Sequence, residues 1–246
     1  MLDKTFIEKI EDLSDPKIFK DVYPRGQAYS SKPLVMVKAP EAEPLEVSSL
    51  EALASYVMRS EDVDGPSETN LIVHVSKHDR VDIVSPLFYS TRQRETLVKC
   101  RMVHTPFPFG EEMSVEKFVI ALQAMFVQDE TTAEILRVVG NLKAEASATM
   151  ADDGTTQVVT TKKGVAGLTR TSVPNPVTLR PYRTFLEVEQ PASRFVFRMK
   201  MSDDMALVKC SLHEADGGMW KNTAMASIKM WLESALSGKP SVIIIG

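Results

Sequence analysis

The sequence predicts an α+β fold, in which a mixed or antiparallel sheet is combined with a helical hairpin and a C-terminal helix. Segments 71–75 and 81–84 alternate apolar and polar residues, and this alternation is typical of half-buried strands. Two consecutive apolar stripes with helical spacing lie between residues 114 and 142, and a third lies within 219–236. Because helices do not separate the strands at regular intervals, the pattern favours α+β over a repeated βαβ arrangement.

The composition is that of an ordinary globular protein. The chain has 246 residues, of which 43% are hydrophobic and 25% charged, and its formal net charge is -4. This length can bury a core without disulfides or metals, and the negative charge argues against a generally basic nucleic-acid binder. The two cysteines lie far apart, and no apolar run is long enough to span a membrane. We therefore expect a cytoplasmic protein without a disulfide framework and without a cofactor.

The first 33 residues are expected to form an N-terminal arm, and residues 34–246 a single α+β domain. Phe6, Ile7 and Ile10 can form one short helical face, but prolines and a glycine then interrupt any longer element. A first strand is expected at 34–38. Residues 144–167 are rich in Thr, Ala, Gly and Lys, and Val158 and Val159 predict at most a thin strand there. If the domain is divided into two sub-lobes, we expect the division within this segment.

Polar residues predict where the helices begin. Ser48 and Glu51 have the spacing of a capping box, in which each side chain binds a free backbone N–H of the first turn, and Thr131 and Glu134 repeat that spacing. Ser114 is expected to cap a further helix, which lies between these two helices in the sequence. The loop between the second and third helices is short, which predicts an antiparallel helical hairpin.

Strands are predicted on both sides of this helical hairpin. A β-hairpin at residues 71–84 is followed by a strand at 96–103. Further strands are predicted at 177–179, 185–188, 195–201 and 206–212. The last helix is expected to run from Met219 to Leu236, since Gly238 and Pro240 end it.

No catalytic or metal-binding motif emerges from the sequence. His74 and His78 would lie roughly 13 Å apart along a strand and turn, so we interpret them as parts of the β-hairpin. Cys100 and Cys210 are expected to be small buried residues. The glycine-rich stretch 164–167 is not followed by a lysine and a helix, as a P-loop requires. We therefore assign no catalytic residue and no metal ligand.

Charge is distributed unevenly along the chain. Eight Lys or Arg and only two Glu occur within 160–200, whereas residues 1–70 contain 14 acidic and eight basic residues. Arginines interleaved with aromatic residues can bind phosphates and stack on bases. The candidate polyanion-binding residues are Arg180, Tyr182, Arg183, Arg194, Arg198 and Lys200. Arg194, Arg198 and Lys200 alternate with apolar residues of a predicted strand and should share its outer face. Arg180 and Arg183 are expected in a turn, where an arginine can reach outward. Alternatively, this basic segment pairs with the acidic N-terminal segment, within or between subunits.

The C-terminal residues predict a homo-oligomer. Residues 242–245 form a short β-branched run that would be prone to aggregate if it were left free. We expect this run to add as a strand to a sheet edge, either of its own chain or of a neighbour. The candidate oligomer interface is Trp231, Val242, Ile243, Ile244 and Ile245. A buried strand within one chain is the alternative explanation.

Three stretches carry a family resemblance. They are FGEEMSVEKF at 109–118, LRPYRTF at 179–185 with EVEQP at 187–191, and GMWKNTA at 218–224. Together they resemble the YfdQ-like family of phage and prophage proteins, a family of unknown function, over about residues 34–236. The resemblance implies a protein encoded in phage genomes, often near recombination and single-strand-binding genes, and located in the bacterial host cytoplasm. It implies no catalytic residue.

These observations lead to one hypothesis and two alternatives. The hypothesis is a non-enzymatic phage accessory protein that self-assembles and binds a polyanion, either single-stranded nucleic acid or a nucleotide signal. The first alternative is a purely structural or protein-interaction oligomer, whose partner is a host or phage protein. The second is an enzyme whose catalytic residues are scattered in the sequence. Salt dependence of binding separates the hypothesis from the first alternative.

Overall fold

The described part of the chain contains five helices and fourteen strands. The structure is a computed structural model, and it describes residues 3–14, 18–20, 28–30, 43–59, 71–87, 92–144, 148–152, 157–163, 167–173, 175–201 and 208–246. The chain divides into two compact units, residues 1–41 and 42–246. The predicted domain boundary after residue 33 and the predicted strand at 34–38 lie outside the described residues.

The first unit contains one helix and one strand pair. Helix α1 (Lys4–Leu13) is followed by strands β1 (Ile18–Lys20) and β2 (Ala28–Ser30), which pair antiparallel. Phe6 and Ile10 are both about half exposed on the helix. The residues of the predicted short helical face thus lie on a helix, whereas the strand pair β1–β2 was not expected from the sequence.

The second unit contains the remaining elements. Its helices are α2 (Leu50–Arg59), α3 (Val115–Met125), α4 (Glu130–Ala144) and α5 (Trp220–Ala235). Its strands are β3 (Leu45–Val47), β4 (Ile72–Lys77), β5 (Arg80–Val84), β6 (Thr96–Arg101), β7 (Met113–Ser114), β8 (Ala148–Asp152), β9 (Gln157–Lys163), β10 (Gly167–Val173), β11 (Val177–Leu179), β12 (Ser193–Met201), β13 (Val208–Glu214) and β14 (Ile243–Ile245). The α+β class, the helical hairpin α3–α4 and the C-terminal helix α5 are as the sequence predicts.

A mixed five-stranded sheet carries α2 and α5 on one face. Its strand order is β14-β4-β5-β6-β3, with antiparallel pairs in the centre and a parallel pair at each edge. The predicted β-hairpin forms the centre of this sheet. We call its buried side the five-strand core, in which Leu53 of α2 and Ile228 of α5 pack with Val73, Ile83 and other fully buried strand residues. Burial of each such side chain contributes roughly 1.5–3 kcal/mol.

An antiparallel four-stranded sheet carries α3 and α4. Its order is β11-β12-β13-β7. We call its buried side the four-strand core, and it is rich in phenylalanine: the rings of Phe109 and Phe195 stack 5.2 Å apart, and Phe118 meets Phe197 at 5.3 Å. Helix α3 begins where predicted, because the Ser114 hydroxyl accepts a hydrogen bond from the backbone N–H of Lys117 at 3.4 Å.

The threonine-rich segment forms more strand than its composition predicts. Strands β8, β9 and β10 build a three-stranded antiparallel sheet, where the sequence predicts at most a thin strand near Val158. Threonine is β-branched, and such side chains favour the extended backbone. Most of the glycine-rich stretch 164–167 lies outside the described residues.

Two helix caps differ from the prediction by one or two residues. Ser49 caps α2 in place of Ser48, since its hydroxyl accepts a hydrogen bond from the N–H of Ala52 at 3.2 Å. Asp129 caps α4 in place of Thr131, since its carboxylate accepts from the N–H of Thr132 at 2.9 Å. An aspartate placed just before the helix competes with the threonine for the same free donors.

The strand predicted at 185–188 is a turn. The N–H of Val188 binds the carbonyl oxygen of Phe185 at 3.3 Å, and both side chains are buried in the five-strand core. The Thr184 hydroxyl donates to the carbonyl oxygen of His78 at 2.5 Å. The segment 180–192, which connects two strands of the four-stranded sheet, thereby joins both cores of the second unit.

Candidate polyanion-binding surface

Four cations lie on the face of the four-stranded sheet that is opposite to α3 and α4. They are Arg194, Arg198 and Lys200 of β12 and Lys209 of β13, and we call them the basic sheet face. Alternate side chains of a strand point to opposite faces, and the alternate residues of β12 (Phe195, Phe197 and Met199) are buried in the four-strand core. The prediction that Arg194, Arg198 and Lys200 share one face is confirmed.

The strand register brings Lys209, the fourth cation, beside Lys200. Lys200 pairs with Lys209, and Arg198 pairs with Ser211. Neighbouring strands lie about 4.8 Å apart, and the six-residue separation of Arg194 from Lys200 corresponds to about 20 Å along the strand. The cations therefore form a band about 20 Å long along β12, which is two strands wide only at its Lys200 end.

A carboxylate lies against this band. Glu112 contacts the ammonium nitrogens of Lys200 at 3.4 Å and Lys209 at 3.7 Å. The side chains are 68% exposed for Lys200, 47% for Lys209 and 42% for Glu112. Exposed pairs of this kind contribute only about 0–1 kcal/mol, so a phosphate can replace the carboxylate at little cost.

Arg183 is not part of an exposed face, although the sequence places it among the candidates. It is 5% exposed, and its guanidinium donates to Glu214 at 2.5 Å and to the Ser193 hydroxyl. Burial lowers its pKa to about 10, against the opposing effect of Glu214 and Asp216. The prediction that a turn lets this arginine reach outward is wrong, because the turn folds into the second unit's interior.

Arg180 and Tyr182 belong to a different surface. The carbonyl oxygen of Arg180 accepts from the N–H of Val127 at 2.9 Å, and the N–H of Tyr182 donates to the carbonyl oxygen of Met125 at 2.8 Å. Both bonds attach this segment to the α3–α4 connection, on the helical side of the sheet. Arg180 also forms an exposed ion pair with Glu189, at 2.8 Å.

The aromatic residues within 160–200 do not lie on the same surface as the cations of the basic sheet face. Phe195 and Phe197 are fully buried and Phe185 is almost so, whereas Tyr182 is 36% exposed beside the helices. Base stacking by these phenylalanines is therefore excluded. The basic sheet face offers charge and hydrogen-bond donors, which suit phosphate oxygens.

A second polar cluster lies between the two cores. His78 meets the ring of Trp220 edge-on at 4.6 Å, and desolvation lowers the pKa of His78. Within the described residues, Nε of Arg183, Nε1 of Trp220 and one carboxylate oxygen of Asp79 are buried without a hydrogen-bond partner. Arg183 and Trp220 are only 5% and 6% exposed, whereas His78 and Asp79 are half-buried, so the cluster offers little surface to a macromolecule.

The cysteines and histidines form no metal or redox centre in the part of the chain that the structure describes. Cys100 and Cys210 are both fully buried, as predicted, and burial raises the pKa of each thiol to about 12. No group of three or more His, Cys, Asp or Glu is arranged to hold a metal ion among the described residues.

The C-terminal run forms a strand of its own chain's sheet. Strand β14 pairs parallel with β4, which is one of the two outcomes expected from the sequence. Trp231, Val242 and Ile244 are partly buried against the five-strand core, whereas Ile243 is 48% and Ile245 43% exposed. Trp231 therefore has packing partners within its own chain.

Sequence reasoning missed Lys209 and Glu112. The alternation of Lys209, Ser211 and His213 with the buried Cys210 and Leu212 is visible in the sequence, and it could have placed Lys209 on an outward face. The register that sets Lys209 beside Lys200 is a property of the folded sheet. Glu112 precedes the two-residue strand β7, for which the sequence carries no strand signal.

Comparisons with known proteins identify no relative. No family model, no curated protein and no solved structure matches the chain. The resemblance to the YfdQ-like family therefore stays a prediction. None of the described helices combines the length and apolar character that crossing a membrane requires.

Proposed function

We propose that the protein binds single-stranded nucleic acid non-enzymatically, through phosphate contacts to the basic sheet face. The observation that carries this proposal is the clustering of Arg194, Arg198, Lys200 and Lys209 on two adjacent strands of a chain whose net charge is -4. A local band of cations in an acidic protein directs a polyanion to one face.

The arrangement favours an extended phosphate chain over a single nucleotide. The band is about 20 Å long and has a sheet beneath it, so successive phosphates can contact successive cations. Small ligands are usually held in concave sites that enclose most of their surface. Arg194, Lys200 and Lys209 are exposed and Arg198 is half-buried, so the basic sheet face offers no such enclosure. Because no exposed aromatic residue of β12 can stack on a base, binding should depend weakly on sequence and strongly on salt.

The experiment measures the affinity for a labelled single-stranded DNA of mixed sequence by fluorescence anisotropy, over a series of salt concentrations. The test variant is Arg194→Glu with Arg198→Glu. The matched control is Lys117→Glu with Arg137→Glu, which makes the same change in charge on exposed residues of α3 and α4. Unlabelled duplex DNA, inorganic polyphosphate and mononucleotides serve as competitors.

We expect the test variant to lose binding while the control keeps most of it. For every phosphate that a variant no longer binds, the slope of log K against log salt should become shallower by about 0.7 for a single strand. Equal losses of affinity in both variants would show that only net charge matters and would refute the site. Absence of binding by the wild type at low salt would refute the function.

A structural oligomer without a nucleic-acid ligand is the second candidate, and the exposed isoleucines of β14 favour it. That function predicts self-association with no effect of single-stranded DNA. A phage accessory role is part of the proposal only through the family resemblance.

A further inference from the structure

We propose that two copies of the chain associate through β14, which pairs antiparallel with β14 of a second copy about a two-fold axis. The result is one continuous ten-stranded sheet made from two five-stranded sheets. The proposal is independent of nucleic-acid binding, because β14 lies in a different sheet from the basic sheet face.

Strand β14 has one paired edge and one edge without a partner strand among the described residues. In a parallel pair, alternate residues of a strand direct their N–H and C=O groups to the same neighbour. The N–H of Ile243 donates to the carbonyl oxygen of Leu71 at 2.8 Å, so Ile243 and Ile245 bind β4. The N–H and C=O of Ile244 therefore point to the outer edge.

This edge is complementary to itself. In an antiparallel pair, two opposite residues can exchange both N–H···O bonds, and a two-fold axis at Ile244 would make it pair with Ile244 of the second copy. Ile243 would then lie opposite Ile245 of the second copy. Because all three residues are isoleucine, every side chain meets an identical one, which suits the self-complementary contact of a two-fold interface.

Apart from its length of only three residues, the edge carries none of the features that prevent sheet edges from pairing. Natural edge strands are commonly protected by charges, prolines or bulges. Strand β14 contains no charged residue or proline, and its pairing with β4 is regular. Its exposed side chains, Ile243 and Ile245, stand next to Ile72 and His74 of β4.

The helix side of the edge adds a groove of about 270 Å³. It is lined by Glu233, Leu236, Ser237, Lys239, Pro240, Val242 and Ile244. An added strand would place alternate side chains on this face of the sheet, so Val242 and Ile244 of the second copy are the apolar groups nearest to it. Two of the lining residues, Glu233 and Lys239, carry opposite charges. The grooves of two copies can therefore face each other without net charge repulsion.

The first test uses the full chain and sedimentation velocity over a wide range of protein concentration. The wild type should sediment with twice the mass of the chain. Ile244→Pro removes the outward N–H but keeps the donors that bind β4, since proline is tolerated where an edge N–H faces outward. Ile244→Ala removes side-chain atoms but keeps that N–H. We expect the proline variant to be monomeric at concentrations where the alanine variant still dimerises.

The second test exploits the register. Ile243→Lys with Ile245→Lys places like charges opposite each other across the two-fold axis and should give a monomer. Ile243→Lys with Ile245→Glu places opposite charges across it and should give a dimer that weakens as salt increases. Circular dichroism and urea unfolding check that each variant folds like the wild type.

Three results would overturn the proposal. If the wild type is monomeric at all concentrations, β14 does not pair with a second copy of the chain. A dimer that Ile244→Pro does not weaken uses another surface. Equal dimerisation of the two charge variants excludes the antiparallel register.

Discussion

The guanidinium carbon of Arg183 lies 3.8 Å from the ring centroid of Trp220. The same guanidinium binds Glu214 at the end of β13, and Trp220 begins α5, which packs on the other sheet. Desolvated contacts between a cation and an aromatic ring contribute about 2 kcal/mol or more. Arg183 therefore joins the two sheets of the second unit, and its role is structural.

Removal of the Arg183 counter-ion should destabilise the second unit. Glu214→Gln removes the carboxylate that accepts a hydrogen bond from the buried guanidinium, and we expect the free energy of unfolding to fall by about 1–3 kcal/mol. Glu189→Gln is the matched control, because its partner Arg180 is exposed. Urea unfolding followed by tryptophan fluorescence measures both. Equal, small effects would show that Arg183 does not depend on this pair.

Acidification should destabilise the fold through His78. Desolvation lowers its pKa, and Lys221, His104 and Arg183 lower it further, whereas Asp79 opposes them. The unfolded histidine titrates near pH 6.5, so below that pH the unfolded chain binds more protons and the folded state loses stability. The contribution is fully present above the unfolded pKa.

The measurement is urea unfolding at a series of pH values from about 8 to about 5, a range that spans the unfolded histidine pKa. His78→Gln should flatten the decline in stability below about pH 6.5, whereas His74→Gln, at an exposed position of β4, should not. If both variants show the wild-type decline, other groups cause the pH dependence.

Neutralising Glu112 should strengthen polyanion binding. Its carboxylate contacts Lys200 and Lys209, and Glu112→Gln removes a negative charge that competes with phosphate for them. We expect the affinity for single-stranded DNA to increase a few-fold at low salt, since such exposed pairs are worth about 0–1 kcal/mol. Glu134→Gln makes the same charge change at an exposed position of α4 and should have little effect. Unchanged affinity in Glu112→Gln would place the DNA elsewhere.

Neither cysteine should react with a thiol reagent while the protein is folded. Cys100 and Cys210 are 0% exposed, and the pKa of each thiol is raised to about 12. Because the thiolate is the reactive form, alkylation by iodoacetamide near neutral pH should follow unfolding. Intact-mass spectrometry should find no label in native protein and a label on both cysteines in urea. Rapid labelling of native protein would contradict the burial.

Local patterns predicted the elements well where side chains alternate or repeat regularly. The alternation of Phe195 and Phe197 with Arg194 and Arg198 predicted both a buried and a basic face of β12, and Ser114 predicted the start of α3. The turn at 185–188 was missed because Phe185, Leu186 and Val188 form a short, mostly apolar run, and such a run is also compatible with a buried strand. Only packing against the five-strand core distinguishes the two.

The sequence by itself determined the α+β class, the helical hairpin, the outward face of β12 and the burial of both cysteines, because these depend on residues that are close along the chain. The tertiary structure alone decided three long-range relationships. It paired Lys209 with Lys200, buried Arg183 against Glu214 and Trp220, and placed β14 beside β4 at the edge of the five-stranded sheet. The physical reason is that strand register and the burial of a charge depend on partners from distant parts of the chain.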